Sequence, residues 1–261
     1  MPKKLDHTAA LAHLSQVDRK LARIIAKAGP CRLQPENTQS IFDALLESII
    51  YQQLNGKVAA IITARVKALF PDNTGRIHTR HGTDPAFPTP EQILAATPEL
   101  LRSAGLSQAK MLAIRDLAAK ALDGTVPTVP EAHKLSDDEL VERLTAVRGI
   151  GRWTVEMLLI FRLGRPDVLA VDDYGIRKGF AKIYRLPELP KPKALLAYGE
   201  RWRPYRTVAS WYMWRAAEMK DLAEPSGQPA KKTASKKAGS GKKPAESKAS
   251  KRRSRGARGR T

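Results

Sequence analysis

The stretch Leu144–Lys178, LTAVRGIGRWTVEMLLIFRLGRPDVLAVDDYGIRK, decides the fold. At its centre is Val147-Arg148-Gly149-Ile150-Gly151, a glycine turn between two helical patterns. Glycine there permits a positive φ and lets the backbone come close to another group. The helix that follows opens with unsatisfied amides and the positive end of its dipole, which together suit an anion. About twenty residues further on, Asp172-Asp173 opens a third helix. Each feature alone is ambiguous. A Gly-x-Gly between helices is often only a turn, and an aspartate at a helix start is an ordinary cap. Asp137-Asp138 is a pair of that ordinary kind and receives no role.

Outward from this stretch the chain reads as helix after helix. From Ser40 to Ile50 the apolar residues Ile41, Phe42, Leu45, Leu46, Ile49 and Ile50 form one helix face. Asn55-Gly56 interrupts the pattern, and a second helix follows with Val58, Ile61, Ile62, Val66 and Leu69. Thr89-Pro90-Glu91-Gln92 is a helix start with a capping box, Thr97-Pro98 repeats the Thr-Pro start, and Ser136-Asp137-Asp138-Glu139 is another box. A helix from Gln108 to about Asp123 ends at Gly124. After the breaks at Pro187, Pro190 and Pro192, two more helices are expected, from about Lys193 to Trp202 and from Pro204 to Met219. No alternating period is long enough to predict a strand, and residues 71–88 read as one long irregular connection.

The 261 residues carry 46 Lys and Arg against 26 Asp and Glu, a net charge of +20. Uninterrupted apolar runs are short, Met157–Phe161 being typical, so no bilayer-spanning helix is expected. The N-terminus lacks the apolar run of a secretory signal, and a cytoplasmic protein is expected, associated with the nucleoid if bacterial. The single cysteine, Cys31, cannot supply an internal disulfide or a four-cysteine metal centre, and five scattered histidines show no ligand spacing. Residues 226–261 hold 13 bases and one acid, with no aromatic, Ile, Leu or Val. Such a segment cannot offset its ordering entropy by burial, so a disordered basic tail is expected. Without the tail, 33 bases still face 25 acids. Both parts point to a polyanion, and nucleic acid fits best.

Gly149-Ile150-Gly151-Arg152-Trp153-Thr154, followed by Val171-Asp172-Asp173-Tyr174, resembles the helix-hairpin-helix DNA glycosylase superfamily and, more narrowly, the 3-methyladenine DNA glycosylase II family. Ser48–Leu54, Phe87–Pro90, Leu101–Gly124 and Tyr198–Trp214 match the same family, so the resemblance covers about residues 35–220. It implies an all-α fold of two helical subdomains with a cleft between them. A helical barrel would span about residues 36–165. The second subdomain would combine about 1–35 with 166–225, in the short form of the family that lacks an N-terminal α/β domain.

The resemblance implies a catalytic carboxylate at Asp173, with Asp172 capping the helix and orienting its neighbour. The base pocket would be aromatic, from Trp153, Tyr174 and Trp214, with Trp211 and Tyr212 as further candidates. Trp202 matches a family position but is expected in the core. The hairpin would hold a backbone phosphate through Gly149, Ile150, Gly151, Arg152 and Thr154, with Arg148 beside them. Arg148 stands where the family commonly has proline, which loosens the turn. The wedge filling the emptied stack would be Gln53 beside Gln52. No cofactor is required. A structural Na or K ion on the backbone carbonyls of Thr145, Val147 and Gly149 is an expectation of the family. Relatives that also cut the strand carry a lysine at the position of Trp153, so a monofunctional enzyme is implied. It would act as a monomer on duplex DNA with alkylated purines of the 3-methyladenine and 7-methylguanine type. Two other readings stay open on the residues alone. One is a helix-hairpin-helix DNA binder without catalysis; the other is a glycosylase for oxidised or mismatched bases.

Overall fold

The computed structural model describes residues 6–36, 40–71, 76–79 and 82–225. The basic tail at 226–261 and its expected disorder lie outside the described residues. The expectation of helices is met almost throughout. Ser40 caps α3 (Ile41–Tyr51) by accepting from the Asp43 amide at 3.1 Å, and the predicted apolar face is buried. Asn55 caps α4 (Gly56–Ala68) in the same way through the Val58 amide. The Thr89–Gln92 and Ser136–Glu139 boxes start α5 (Pro90–Ala95) and α9 (Asp137–Thr145). A third box, Thr128–Glu131, starts the short α8 (Val129–Ala132).

Two groups of helices emerge from the packing. In the first, α7 (Gln108–Leu122) packs against α3, α5 and α6 (Pro98–Ser103), while α3 also meets α4 and α10 (Arg152–Phe161), and α10 meets α9. In the second, α13 (Arg206–Glu218) packs against α11 (Tyr174–Tyr184), α2 (Arg19–Ala28) and α1 (His7–Val17). At the closest point of α11 and α13, a Cβ on Gly179 would lie 1.8 Å from the Met213 carbonyl oxygen. Only glycine lets the two backbones meet there. Asp18 binds the second group together. It caps α2 through the amides of Lys20 and Leu21, and accepts from the Trp202 indole at 3.0 Å and from the Tyr184 hydroxyl. Trp202 is fully buried, as expected of a core residue.

Residues 71–88 depart from the sequence reading. They carry a small antiparallel hairpin, β1 (Arg76–Thr79) with β2 (Gly82–Pro85), in the register Arg76 with Pro85 and Thr79 with Gly82. Strands of four residues held by backbone ladders leave no measurable alternation in the sequence. The expected helix from Lys193 to Trp202 divides into α12 (Pro192–Gly199) and a 3₁₀ turn at Glu200–Trp202. The last helix starts at Arg206 rather than at Pro204. Among the described residues, no helix is long and apolar enough to cross a membrane.

The connection from α10 to α11, residues 162–173, is fastened to both groups of helices. Arg165 donates to the carbonyls of Ala132 and Leu135 at 2.7 Å and pairs with Asp137. On α13, the Thr207 hydroxyl donates to the Arg165 carbonyl and accepts from the Val168 amide, while Arg206 grips Asp167 at 2.8 Å. This segment delivers Asp173 to the start of α11.

Candidate active site

Asp173 is the N-cap of α11, with its Oδ1 accepting from the Ile176 amide at 2.8 Å. Here the expectation for Asp172 is corrected. Asp172 is exposed in the preceding turn, and the cap falls to Asp173, the residue directly before the first helical one, whose side chain reaches the amide of the first turn. Two indoles complete the setting of Asp173. Trp214 of α13 donates Nε1–H to Oδ1 at 2.8 Å, and Trp153 of α10 donates Nε1–H to Oδ2 at 2.9 Å. A carboxylate oxygen has about two lone-pair sites. Oδ1 has both engaged; Oδ2 keeps one.

Trp214 can reach that oxygen only because residue 175 is glycine. A Cβ on Gly175 would sit 2.8 Å from Trp214 Cδ1 and 3.2 Å from Asp173 Oδ1. Nothing in the sequence reading singled out Gly175; its signal was its place directly after Tyr174.

A cavity of about 550 Å³ opens at Tyr174 and Gly175, the two residues after Asp173, with Phe161, Trp211 and Trp214 on its wall beside charged residues that include Arg32, Lys178 and Arg215. This is the size range of ligand pockets. Phe161 stacks on Trp214 with ring centroids 5.6 Å apart and planes 24° apart. Of the three expected pocket aromatics, Tyr174 and Trp214 line the cavity and Trp153 does not. Trp153 is half exposed and spends its indole N–H on Asp173. Tyr212 is fully buried and donates to the Gly29 carbonyl, so it belongs to the core. Phe161, at the end of α10, was missed, since its spacing reads as plain core.

The hairpin takes the shape its glycines predict. Gly149 has φ +79°, and a Cβ there would touch Ala113 at 3.4 Å. Val147 and Ile150 plug into the core, and the Ile150 amide donates to the Val147 carbonyl at 3.1 Å. Gly151 is the N-cap of α10 and, having no side chain, leaves the first turn without a side-chain cap. Asp116 of α7 accepts from the Arg148 amide at 2.7 Å and pairs with Lys120, bracing the turn from below. Arg152 is exposed at the first turn, and Thr154 is partly buried behind it.

One wedge expectation is corrected. The Gln52 side chain donates to the Gly149 carbonyl at 2.9 Å, which ties the end of α3 to the hairpin and commits its amide there. Lys110 holds the same helix end through the carbonyls of Ile50 and Gln52. Burial lowers the Lys110 pKa. Gln53, next along, is exposed with φ +60°. A left-handed glutamine is uncommon and stores strain, which clusters at functional sites.

A second acid, which the sequence does not single out, stands near Asp173. Glu156 of α10 is almost wholly buried and pairs through Oε1 with Arg152 Nε at 3.0 Å. Burial raises its pKa, Arg152 opposes that, and the charges of Asp172 and Asp173 raise it further. The carbonyls of Val147 and Gly149 each accept one hydrogen bond already and keep a second lone pair.

Residues 46–204 match the HhH-GPD superfamily of base excision DNA repair proteins. The chain is 37% identical over 219 residues to DNA-3-methyladenine glycosylase 1 of Schizosaccharomyces pombe, covering 84% of this chain and 91% of the relative. It is 30% identical over 174 residues to DNA-3-methyladenine glycosylase 2 of Escherichia coli, which covers 66% of this chain and 56% of that protein. A solved structure of the S. pombe 3-methyladenine DNA glycosylase in complex with abasic DNA superposes with a TM-score of 0.66 at 36% identity, covering 83% of this chain and all of that one. A Bacillus halodurans DNA-3-methyladenine glycosidase superposes with a TM-score of 0.70 at 34% identity, covering 83% of this chain and 92% of that one.

Proposed function

The chain belongs to the HhH-GPD superfamily of base excision DNA repair proteins, and from that premise we infer that it is a DNA glycosylase of the 3-methyladenine type, which hydrolyses the bond between an alkylated purine and deoxyribose. The observation that carries this reading is one carboxylate, Asp173, held by two indole N–H groups, one of them from Trp214, which also lines the neighbouring cavity.

A base inside a duplex cannot reach that cavity, so the nucleotide must rotate out, at a cost of a few kcal/mol. The glycine hairpin grips a backbone phosphate with the amides at the start of α10, and Gln53 enters the vacated space. The extruded purine lies between Tyr174 and Trp214, with Phe161 behind. A methylated purine carries positive charge and is attracted to such ring faces.

Oδ2 of Asp173, with its spare lone pair, is the oxygen placed to face the sugar. As the bond from C1′ to the purine nitrogen breaks, its electron pair leaves with the base and positive charge develops on the sugar. At ~4 Å and an effective dielectric of ~20, a fixed carboxylate stabilises that charge by about 4 kcal/mol. This is roughly a thousandfold in rate. Water then adds at C1′ and loses its proton. A cationic base departs neutral, so it needs no strong acid to protonate it. Trp153 supplies no amine for a covalent intermediate, and the expected product is an intact strand with an abasic site.

The carbonyls of Thr145, Val147 and Gly149 are the groups that would hold a monovalent cation, and the spare lone pairs on those of Val147 and Gly149 support that reading. Such an ion would add positive charge beneath the phosphate contact. The site is assembled from one chain, and we propose that the protein acts as a monomer wherever the cell keeps its DNA.

Asp173→Asn tests the reading. Asparagine is as good an N-cap as aspartate, so α11 survives; the charge is lost, and with it the acceptor for the Trp153 indole, since an amide nitrogen only donates. On methylated duplex DNA, freed bases identified by mass should fall about a thousandfold, while binding to the duplex persists. Borohydride added to the wild-type reaction should trap no protein–DNA adduct. Undiminished base release by the variant would leave a DNA-binding protein with another active residue or none.

A further inference from the structure

Glu156 and Arg152 form an unusual pair. The acid is buried and the arginine is exposed, with side chains 5% and 58% accessible. Arginine and carboxylate commonly meet fork to fork, with two parallel bonds. Here the contact is single. Arg152 uses Nε on Oε1 at 3.0 Å, while Oε2 is buried without a hydrogen-bond partner among the described residues. Among the described residues the terminal nitrogens of the guanidinium make no hydrogen bond to the acid, and Arg152 itself is the first residue of α10, directly after Gly151 of the hairpin.

A buried carboxylate on this helix is costly, and the neighbouring charges of Asp172 and Asp173 make it costlier. Its one bond is to a side chain that faces outward. We propose that Glu156 is a positioning residue. It fixes the Arg152 stem so that the terminal guanidinium fork is preset to take the backbone phosphate held by the hairpin. Glu156 itself touches neither DNA nor sugar and acts through Arg152 alone. This rests on the reading of the hairpin as the phosphate-gripping element.

Charge alone predicts the opposite of positioning. Deleting a negative group close to DNA should tighten binding, whereas deleting an anchor should loosen it. The experiment measures affinity for a duplex carrying a tetrahydrofuran abasic analogue across a salt series. Arg152→Ala should weaken binding about tenfold and reduce the slope of log affinity against log salt by about 0.9, one phosphate contact. Glu156→Ala should do the same although it removes a negative charge, and the double variant should lose no more than either single one. Glu156→Gln keeps an acceptor for the Nε–H and should restore most of the affinity and the slope. Should Glu156→Ala fold poorly, Glu156→Asp keeps the charge, shortens the arm by one methylene, and should lose the slope contribution. An unchanged slope or tighter binding in Glu156→Ala or Glu156→Asp, with Arg152→Ala still impaired, overturns the positioning role. An unchanged slope in Arg152→Ala overturns it too, and takes with it the assignment of Arg152 to a phosphate. Base release by saturated enzyme, read separately, stands or falls with Asp173.

Discussion

At residue scale, Gly175 shows how little room the site leaves. Alanine there brings Cβ to 2.8 Å from the Trp214 ring, closer than side chains pack. The ring must turn aside, and its bond to Asp173 Oδ1 goes with it. Gly175→Ala should therefore cut base release on methylated DNA by tenfold or more while moving the melting temperature by only a few degrees. Steady-state product assays and a thermal melt check both halves. The turn at Gly149–Gly151 was legible from the glycines themselves, while Asp173, Tyr174 and Trp214 were singled out by the resemblance, and the structure brings Asp173 and Trp214 into contact. Gly175, Phe161 and Glu156 were not. Each owes its role to a neighbour far along the chain or to an i+4 pairing that looks like any surface ion pair. Gln52 was misread for the same reason, since its partner Gly149 is 97 residues away. Asp172 and Asp173 are identical in type, and only the position of the Ile176 amide tells which one caps.

At the scale of elements, the helix starts were readable almost to the residue, because Ser40, Asn55, Thr89, Thr97 and Ser136 each supply a side-chain acceptor three residues before an orphan amide. The β1–β2 hairpin was invisible for want of a side-chain pattern. Which helices touch was not legible either. The contact between α11 and α13 carries both halves of the site, Asp173 on one and Trp214 on the other. It depends on Gly179, where a methyl group would collide with backbone. Gly179→Ala should cost at least about 3 kcal/mol of stability, in the range of severe overpacking. A urea titration followed by circular dichroism measures it, and a variant as stable as the parent would mean the helices can part without loss.

For the whole molecule, charge is divided between a structured part with 33 bases and 25 acids and a tail with 13 bases and one acid. If about half the tail's cations meet phosphates, it accounts for a salt slope of roughly −6 on its own. Removing residues 226–261 should weaken binding to long duplexes and flatten their salt dependence, yet leave base release from a short, saturating duplex unchanged. Filter binding over a salt series and a single-turnover assay separate the two effects.

The segment that carries Asp173 is bolted to both groups of helices, by Arg165 to the carbonyls of Ala132 and Leu135 and by Thr207 and Arg206 to its own backbone and Asp167. Held from two sides, it has little room to shift when a substrate arrives. The work of distortion then falls on the double helix. Nucleotides whose stacking and pairing are already weakened by damage yield most readily. Discrimination thus begins in the mechanical weakness of the lesion itself, before any base has been inspected.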